Sequence, residues 1–210
     1  MIPHQTPHRR RQRGFTLIEL AIVLVIIAIL LGSILTTQSL IQSARVQDTI
    51  AIASDLSQAT RDFRTKFGAL PGDHPRATTQ VAGATVDGNG DGEIGTAAET
   101  AAATDHLNRA GMIRPPDAAG QMLSRYGLVR LMSTGFAFAS CNAGGVNLDF
   151  TGIPVTLRNW VVLSTLPSEV AAEIDRKLDD GVFNTGRIRG TSAYTGAGAL
   201  AQVLCLAIPL

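Results

Sequence analysis

Apolar and polar positions follow one another along the chain with different periods. From Phe15 to Leu35 the sequence reads FTLIELAIVLVIIAILLGSIL, with Glu19 as its one ionisable side chain and no proline. At ~1.5 Å rise per residue, a helix of that length spans the roughly 30 Å hydrocarbon core of a bilayer. Residues 33–67 contain neither Gly nor Pro, and Ile52, Leu56, Ala59, Phe63 and Phe67 recur at helical spacing as an apolar stripe. The pattern predicts one helix from Phe15 to Phe67, ~80 Å long. Residues 15–35 form its transmembrane or filament-core part and residues 36–67 its amphipathic continuation. The stripe is too short and irregular for sustained coiled-coil heptads, so packing on a sheet is expected. Asp62 and Lys66 add an i, i+4 pair.

Gly68 and Pro71-Gly72 end that helix and open a loop that runs to about Thr96. Thr96-Ala-Ala-Glu99 has the spacing of a capping box and starts a helix that reaches Ala110 and stops at Gly111. Tyr126–Met132, Val146–Phe150, Val155–Ser164, Arg187–Arg189 and Gln202–Ile208 are short segments of β-branched and apolar residues between Gly, Asn and Pro turns. Pro167–Asp180 reads as a helix: Val170, Ile174 and Leu178 repeat every fourth residue, acids come early and bases late, and Gly181 follows. The fold class predicted is α+β, with residues 68–210 as a globular domain built on an antiparallel sheet.

Charge sharpens this outline. The net charge is +1, but Arg9, Arg10, Arg11 and Arg13 precede the first apolar run, leaving 14 cations against 17 acids, or −3, after Gly14. The basic excess therefore belongs to a leader at residues 1–14, not to a nucleic-acid surface. Arginines before the apolar run place the N-terminus in the cytoplasm and the bulk outside, in a single-pass inner-membrane topology. An ordinary secretory signal fits less well, because the apolar stretch is long and no Ala-x-Ala-like pair ends it. Cys141 and Cys205 are too few and too far apart for a zinc cluster; a disulfide in an oxidising compartment is the reading preferred over two buried thiols.

Glu19 is unexplained by a simple anchor, since an acidic group within a membrane segment needs a partner. If the chain is cut between Gly14 and Phe15, the new α-amino group lies one helical turn before Glu19 on the same face. The string Arg13-Gly14-Phe15-Thr16-Leu17-Ile18-Glu19, followed by the aliphatic run, resembles the cleavage and methylation signal of type IV prepilins and type II secretion pseudopilins. The resemblance covers about the first 50 residues and implies a pilin-like fold. It implies that a prepilin peptidase cuts after Gly14 and methylates Phe15, and that Glu19 pairs with a neighbouring subunit's N-terminal amine during assembly. Where many members carry a proline, this chain has Thr36. A second, weaker resemblance joins Glu173–Gly181 to a segment of some large pilin-like proteins and confers no activity.

Asp87-Gly-Asn89-Gly-Asp91-Gly92-Glu93 places oxygen side chains at alternate positions with glycine at the sixth, like the first half of an EF-hand calcium loop. The closing position is Ala98, with Glu99 one residue late. Asp73 in Pro-Gly-Asp could add a ligand from outside the loop, and the resemblance makes calcium an option, since some subunits of the secretion branch hold calcium in loops of the globular domain. Asp-Gly and Asn-Gly turns need no metal, and the capping box competes for Glu99. Calcium and a plain Gly-rich turn both stand at this point.

No Walker, Gly-x-Ser-x-Gly or His-Glu-x-x-His pattern occurs. His74 and His106 read as solvated or hydrogen-bonded, and Asp175, Asp179 and Asp180 as a solvated face. No enzyme is expected. The favoured function is a structural filament subunit, a minor type IV pilin ahead of a secretion pseudopilin because the globular part is long. Its partners would be the prepilin peptidase, other pilin subunits, an inner-membrane assembly platform and membrane lipid. A membrane-tethered periplasmic enzyme or binding module is the alternative of another class; it leaves Glu19 unexplained.

Overall fold

Helix α1 spans Leu17–Phe67, a stretch with no proline and Gly32 as its one glycine. It stops where predicted: Gly68 has φ 76° and its N–H closes on the Arg64 carbonyl at 2.9 Å, a conformation glycine adopts without a Cβ penalty. The computed structural model describes residues 15–117, 121–141, 148–191, 194 and 202–210, with the side chains of 33–39, 138–140 and 202–204 outside that description. The leader and Gly14 lie outside the described residues.

The chain divides into two compact units, residues 1–43 and 44–210. In the first, the described apolar side chains are exposed, Leu17 at 89% and Leu24 at 66%. Among the described residues no helix is long and apolar enough to cross a membrane.

The second unit is an α+β domain. Its strands are β1 (Met122–Leu123), β2 (Leu128–Ser133), β3 (Asn159–Pro167), β4 (Arg189–Gly190) and β5 (Gln202–Pro209). They form one sheet in the order β1-β2-β3-β5-β4, with every neighbouring pair antiparallel. Helices α2 (Ala77–Gln80), α3 (Ala97–Arg109), α4 (Thr134–Ser140) and α5 (Ser168–Leu178) complete it. The strand period of two separates two cores. Val129, Leu131, Val161, Leu163 and Leu206 join the α1 residues Val46, Ala53, Leu56, Ala59 and Phe63, with Leu107 of α3 and Ile174 of α5. Met132, Trp160, Val162 and Ala207 form the second cluster with Ala137, Cys141, Leu148 and Cys205. An N-terminal helix followed by a domain with a five-stranded antiparallel sheet is the α+β, pilin-like arrangement expected.

Element edges moved for local reasons. β2 begins at Leu128, because Ser124 and Gly127 close a turn in which the Ser124 N–H and hydroxyl both donate to the Gly127 carbonyl. β3 begins at Asn159, because Pro154 and Leu157 form a turn and Val155 is exposed; it then runs on to Pro167. Residues 148–150, within the predicted Val146–Phe150 strand, are not in a strand, and residues 146–147 lie outside the described residues. Helix α4 is an addition, capped by the Ser133 hydroxyl accepting from the Phe136 N–H at 3.3 Å. Asp62 accepts from Gln58 at 2.8 Å and the Lys66 ammonium sits 5.1 Å from the Phe67 ring centroid, which replaces the predicted Asp62–Lys66 pair.

Candidate functional site

At the start of α1, Thr16 and Glu19 cap the helix reciprocally. The Thr16 N–H and hydroxyl both donate to Glu19 Oε2 at 3.0 Å, and the Glu19 N–H donates to Thr16 Oγ1 at 3.3 Å. Thr16-Leu-Ile-Glu19 has capping-box spacing, a signal present in the sequence beside the unpaired charge. Glu19 thus has a local partner before any cut. An ionised carboxylate has about four acceptor sites, so the cap leaves capacity for an amine. Phe15, the residue that cleavage would expose, is 80% accessible.

The Gly-rich loop is organised around Asp73. That residue is buried, and its Oδ1 accepts from the Gly90 and Asp91 N–H groups at 2.7 and 3.1 Å while Oδ2 accepts from the Gly92 N–H at 2.9 Å. Successive N–H groups converging on one carboxylate form an anion-binding nest. The glycines follow from it: Gly90 and Gly92 have φ 77° and 86°, and a Cβ on Gly88 would lie 2.2 Å from the Asp73 carbonyl carbon. Burial raises the Asp73 pKa, the three N–H donors offsetting part of the rise.

The other predicted calcium ligands are engaged locally. Asp87 accepts from the Thr78 N–H at 2.8 Å and hydroxyl at 3.0 Å, which holds its carboxyl below the usual range. Asn89 donates to Asp91 Oδ2 at 2.8 Å and accepts from the Asp91 N–H at 2.9 Å. Asp91 accepts from the Glu93 N–H, and Glu93 pairs with Arg158 at 3.2 Å. Glu99 is buried and closes the predicted capping box with Thr96, while also accepting from Gly95 and Asn89. No three of these carboxylates converge among the described residues. As arranged, each of these side chains has a hydrogen-bond or ion-pair partner within the protein.

His106 clamps the same region from below. Buried and aligned with the Phe63 ring at 6.2 Å, it accepts from the Gly72 N–H at Nδ1, 3.0 Å, so its Nε2 carries the proton that goes to the Val86 carbonyl at 2.9 Å. Both nitrogens are used only if the ring is neutral, and burial pushes its pKa down.

Asp175, Asp179 and Asp180 bring three carboxylate oxygens within 4.8 Å of one another. Asp180 is exposed as expected and Asp179 partly so, but Asp175 is fully buried. It accepts from the Tyr194 hydroxyl at 2.7 Å and the Gly181 N–H at 3.3 Å, Asp179 from the Arg187 and Ile188 N–H groups, and Asp180 from the Val182 N–H and Thr185 hydroxyl. Burial raises the Asp175 and Tyr194 pKa values, whereas the Thr185 hydroxyl lowers that of Asp180. The three acids fasten the turn from α5 to β4, which periodicity alone does not reveal. On the second core, Cys141 and Cys205 are disulfide-bonded across a sequence separation of 64, with Cα atoms 5.8 Å apart.

Residues 9–35 match the family model described as the prokaryotic N-terminal methylation motif, the prepilin-type signal of type IV pilins and pseudopilins. No curated protein and no solved structure matches. The match is confined to the N-terminal signal, which leads into α1 of an α+β domain.

Proposed function

We propose that this chain is a structural subunit of a type IV pilus. Its precursor sits in the inner membrane with residues 1–14 in the cytoplasm and the domain outside. Prepilin peptidase cuts after Gly14 and methylates Phe15, and an assembly platform lifts the mature subunit from lipid into a fibre of other pilin subunits. The observation that carries this reading is the methylation motif at residues 9–35 leading into α1 of an α+β domain. Mature Glu19 then meets an N-terminal amine, on its own chain or a neighbour's, at the position where the Thr16 cap already orients it.

Intact mass of the protein from membranes of cells with and without prepilin peptidase tests the first step. A mature form beginning at Phe15 with one added methyl group is expected only when the peptidase is present, and retention of Met1 in normal cells overturns the reading. Glu19→Ala should insert normally yet enter filaments poorly; normal incorporation would remove amine pairing as the role of this carboxylate. Deleting the chain should reduce surface pili and leave protein secretion intact, and the reverse outcome makes it a pseudopilin.

A further inference from the structure

We infer that the two flanks of α1 within the domain are the halves of a contact between copies of this chain, an acidic ridge on one copy meeting a basic cleft on the next. The inference rests on the filament reading above and names the surfaces that build it. An α-helix turns ~100° per residue. Phe63 points into the core with no exposure, so Asp62 projects to one side of it and Arg64 to the other. Asp48, Asp55 and Asp62 repeat every seventh residue, which places them in one line, and all three are exposed. They border a groove of about 520 Å³ floored by Ile52, Met112, Ile113 and Met122. Arg114, in the same groove, donates to the Leu123 carbonyl.

On the opposite flank Arg61, Arg64 and Arg158 line a cleft of about 650 Å³. Asp73 is the one acidic side chain in that lining, and its oxygens are held by three N–H groups. Arg158 keeps its pair with Glu93, while Arg61 and Arg64 have no carboxylate, and Asp48, Asp55 and Asp62 no cation, within ion-pair reach among the described residues.

Opposite charges on opposite flanks cannot be satisfied by a two-fold contact through either flank, which would set like against like. They are satisfied by a head-to-tail contact, and a heterologous contact that does not close repeats as a helical fibre. Exposed ion pairs are individually weak; their contribution here is register and steering, with the apolar floor of the acidic groove supplying surface to desolvate. A chain whose flanks fit each other is suited to runs of itself, which argues against a role confined to single copies.

Full-length protein in assembling cells provides the test. D55R/D62R gives two basic flanks, R61E/R64E two acidic ones, and the quadruple variant restores opposite signs in reversed places. R64K preserves the charge and supplies an amine, so carbodiimide treatment of filaments containing isotopically light and heavy copies should join its peptide to the Asp55 or Asp62 peptide of another copy. Each double reversal should cut incorporation about tenfold or more, and the quadruple variant should recover most of it, all with domain melting temperatures close to that of the natural protein. Incorporation unchanged by the reversals, no recovery in the quadruple variant, or crosslinks only to a different pilin would overturn the inference while leaving the filament reading intact. A chain that is neither processed nor found in filaments takes down both.

Discussion

The described apolar side chains of residues 17–31 and those facing inward from residues 46–63 lie on the same helix, yet their surroundings differ completely. Ile26 is 52% exposed and Leu31 58%, whereas Val46 and Phe63 have no exposure and Leu56 1%. Residues 17–31 carry Glu19 as their one ionisable side chain and are otherwise apolar on every side, a composition suited to contact with lipid or other helices. The second part is apolar on one stripe and charged elsewhere, which means that its solvent is a protein core on one side and water on the other. The difference teaches that burial, and with it the domain's folding free energy, is confined to the second part of α1 among the described residues.

The strongest way to break that division is to truncate one residue in each part. Phe63→Ala should destabilise the domain by about 3–5 kcal/mol, as for other fully buried aromatics. Ile26→Ala should leave its melting within about 0.5 kcal/mol of the natural protein while reducing membrane retention or filament entry. Calorimetry of the detergent-solubilised chain measures both, and equal effects would abolish the distinction. Next in size, replacing Cys141 and Cys205 by Ser should cost about 2–4 kcal/mol, again in the domain alone, with unfolding monitored with and without reductant.

Asp73→Ala removes the carboxylate from its nest and leaves the Gly90, Asp91 and Gly92 N–H groups unmatched, for a cost of about 1–3 kcal/mol. Calcium separates the two readings of the loop: a rise in the natural protein's melting temperature with millimolar calcium supports a cation site, and no rise supports a turn held by its own hydrogen bonds. The smallest effect concerns pH. His106 has a folded pKa below the usual 6.5, so as pH falls below that value the unfolded state gains a proton that the folded state does not. Stability should therefore fall as pH drops from about 7 through 6, and the slope should vanish in His106→Ala. Asp73 and Asp175, raised by burial, act in the opposite sense at lower pH: between the usual aspartate value and their raised ones, stability falls as pH rises. A melting series from pH 4 to 8 separates the two windows.

Much of the fold was legible along the chain because it rests on local rules. The stop of α1 at Gly68, the Thr96–Glu99 cap of α3 and the period of α5 each involve residues within a few positions of one another. The strand edges were less legible: Tyr126-Gly127 and Val155–Leu157 fall within the predicted strands, yet the Ser124–Gly127 and Pro154–Leu157 turns close on their own backbone bonds. The site divides in the same way. Gly14, Phe15 and Glu19 were readable as a contiguous signal. The Thr16–Glu19 cap is equally contiguous, since capping-box spacing is itself a pattern along the chain.

By itself the sequence determined the N-terminal signal, the length and apolar character of α1, helices α3 and α5 and the presence of an antiparallel sheet. These are set by periodicity, glycine conformation and chain-local hydrogen bonds. Only the tertiary structure decided that the Gly-rich loop closes on Asp73, 17 residues from Gly90, that His106 is held neutral between Gly72 and Val86, that Asp175 is buried against Tyr194, and that Asp62 and Arg64 emerge on opposite sides of a buried Phe63. Each of those outcomes depends on groups distant in sequence competing for the same buried donors, acceptors and space, and no pattern along the chain records which competitor arrives.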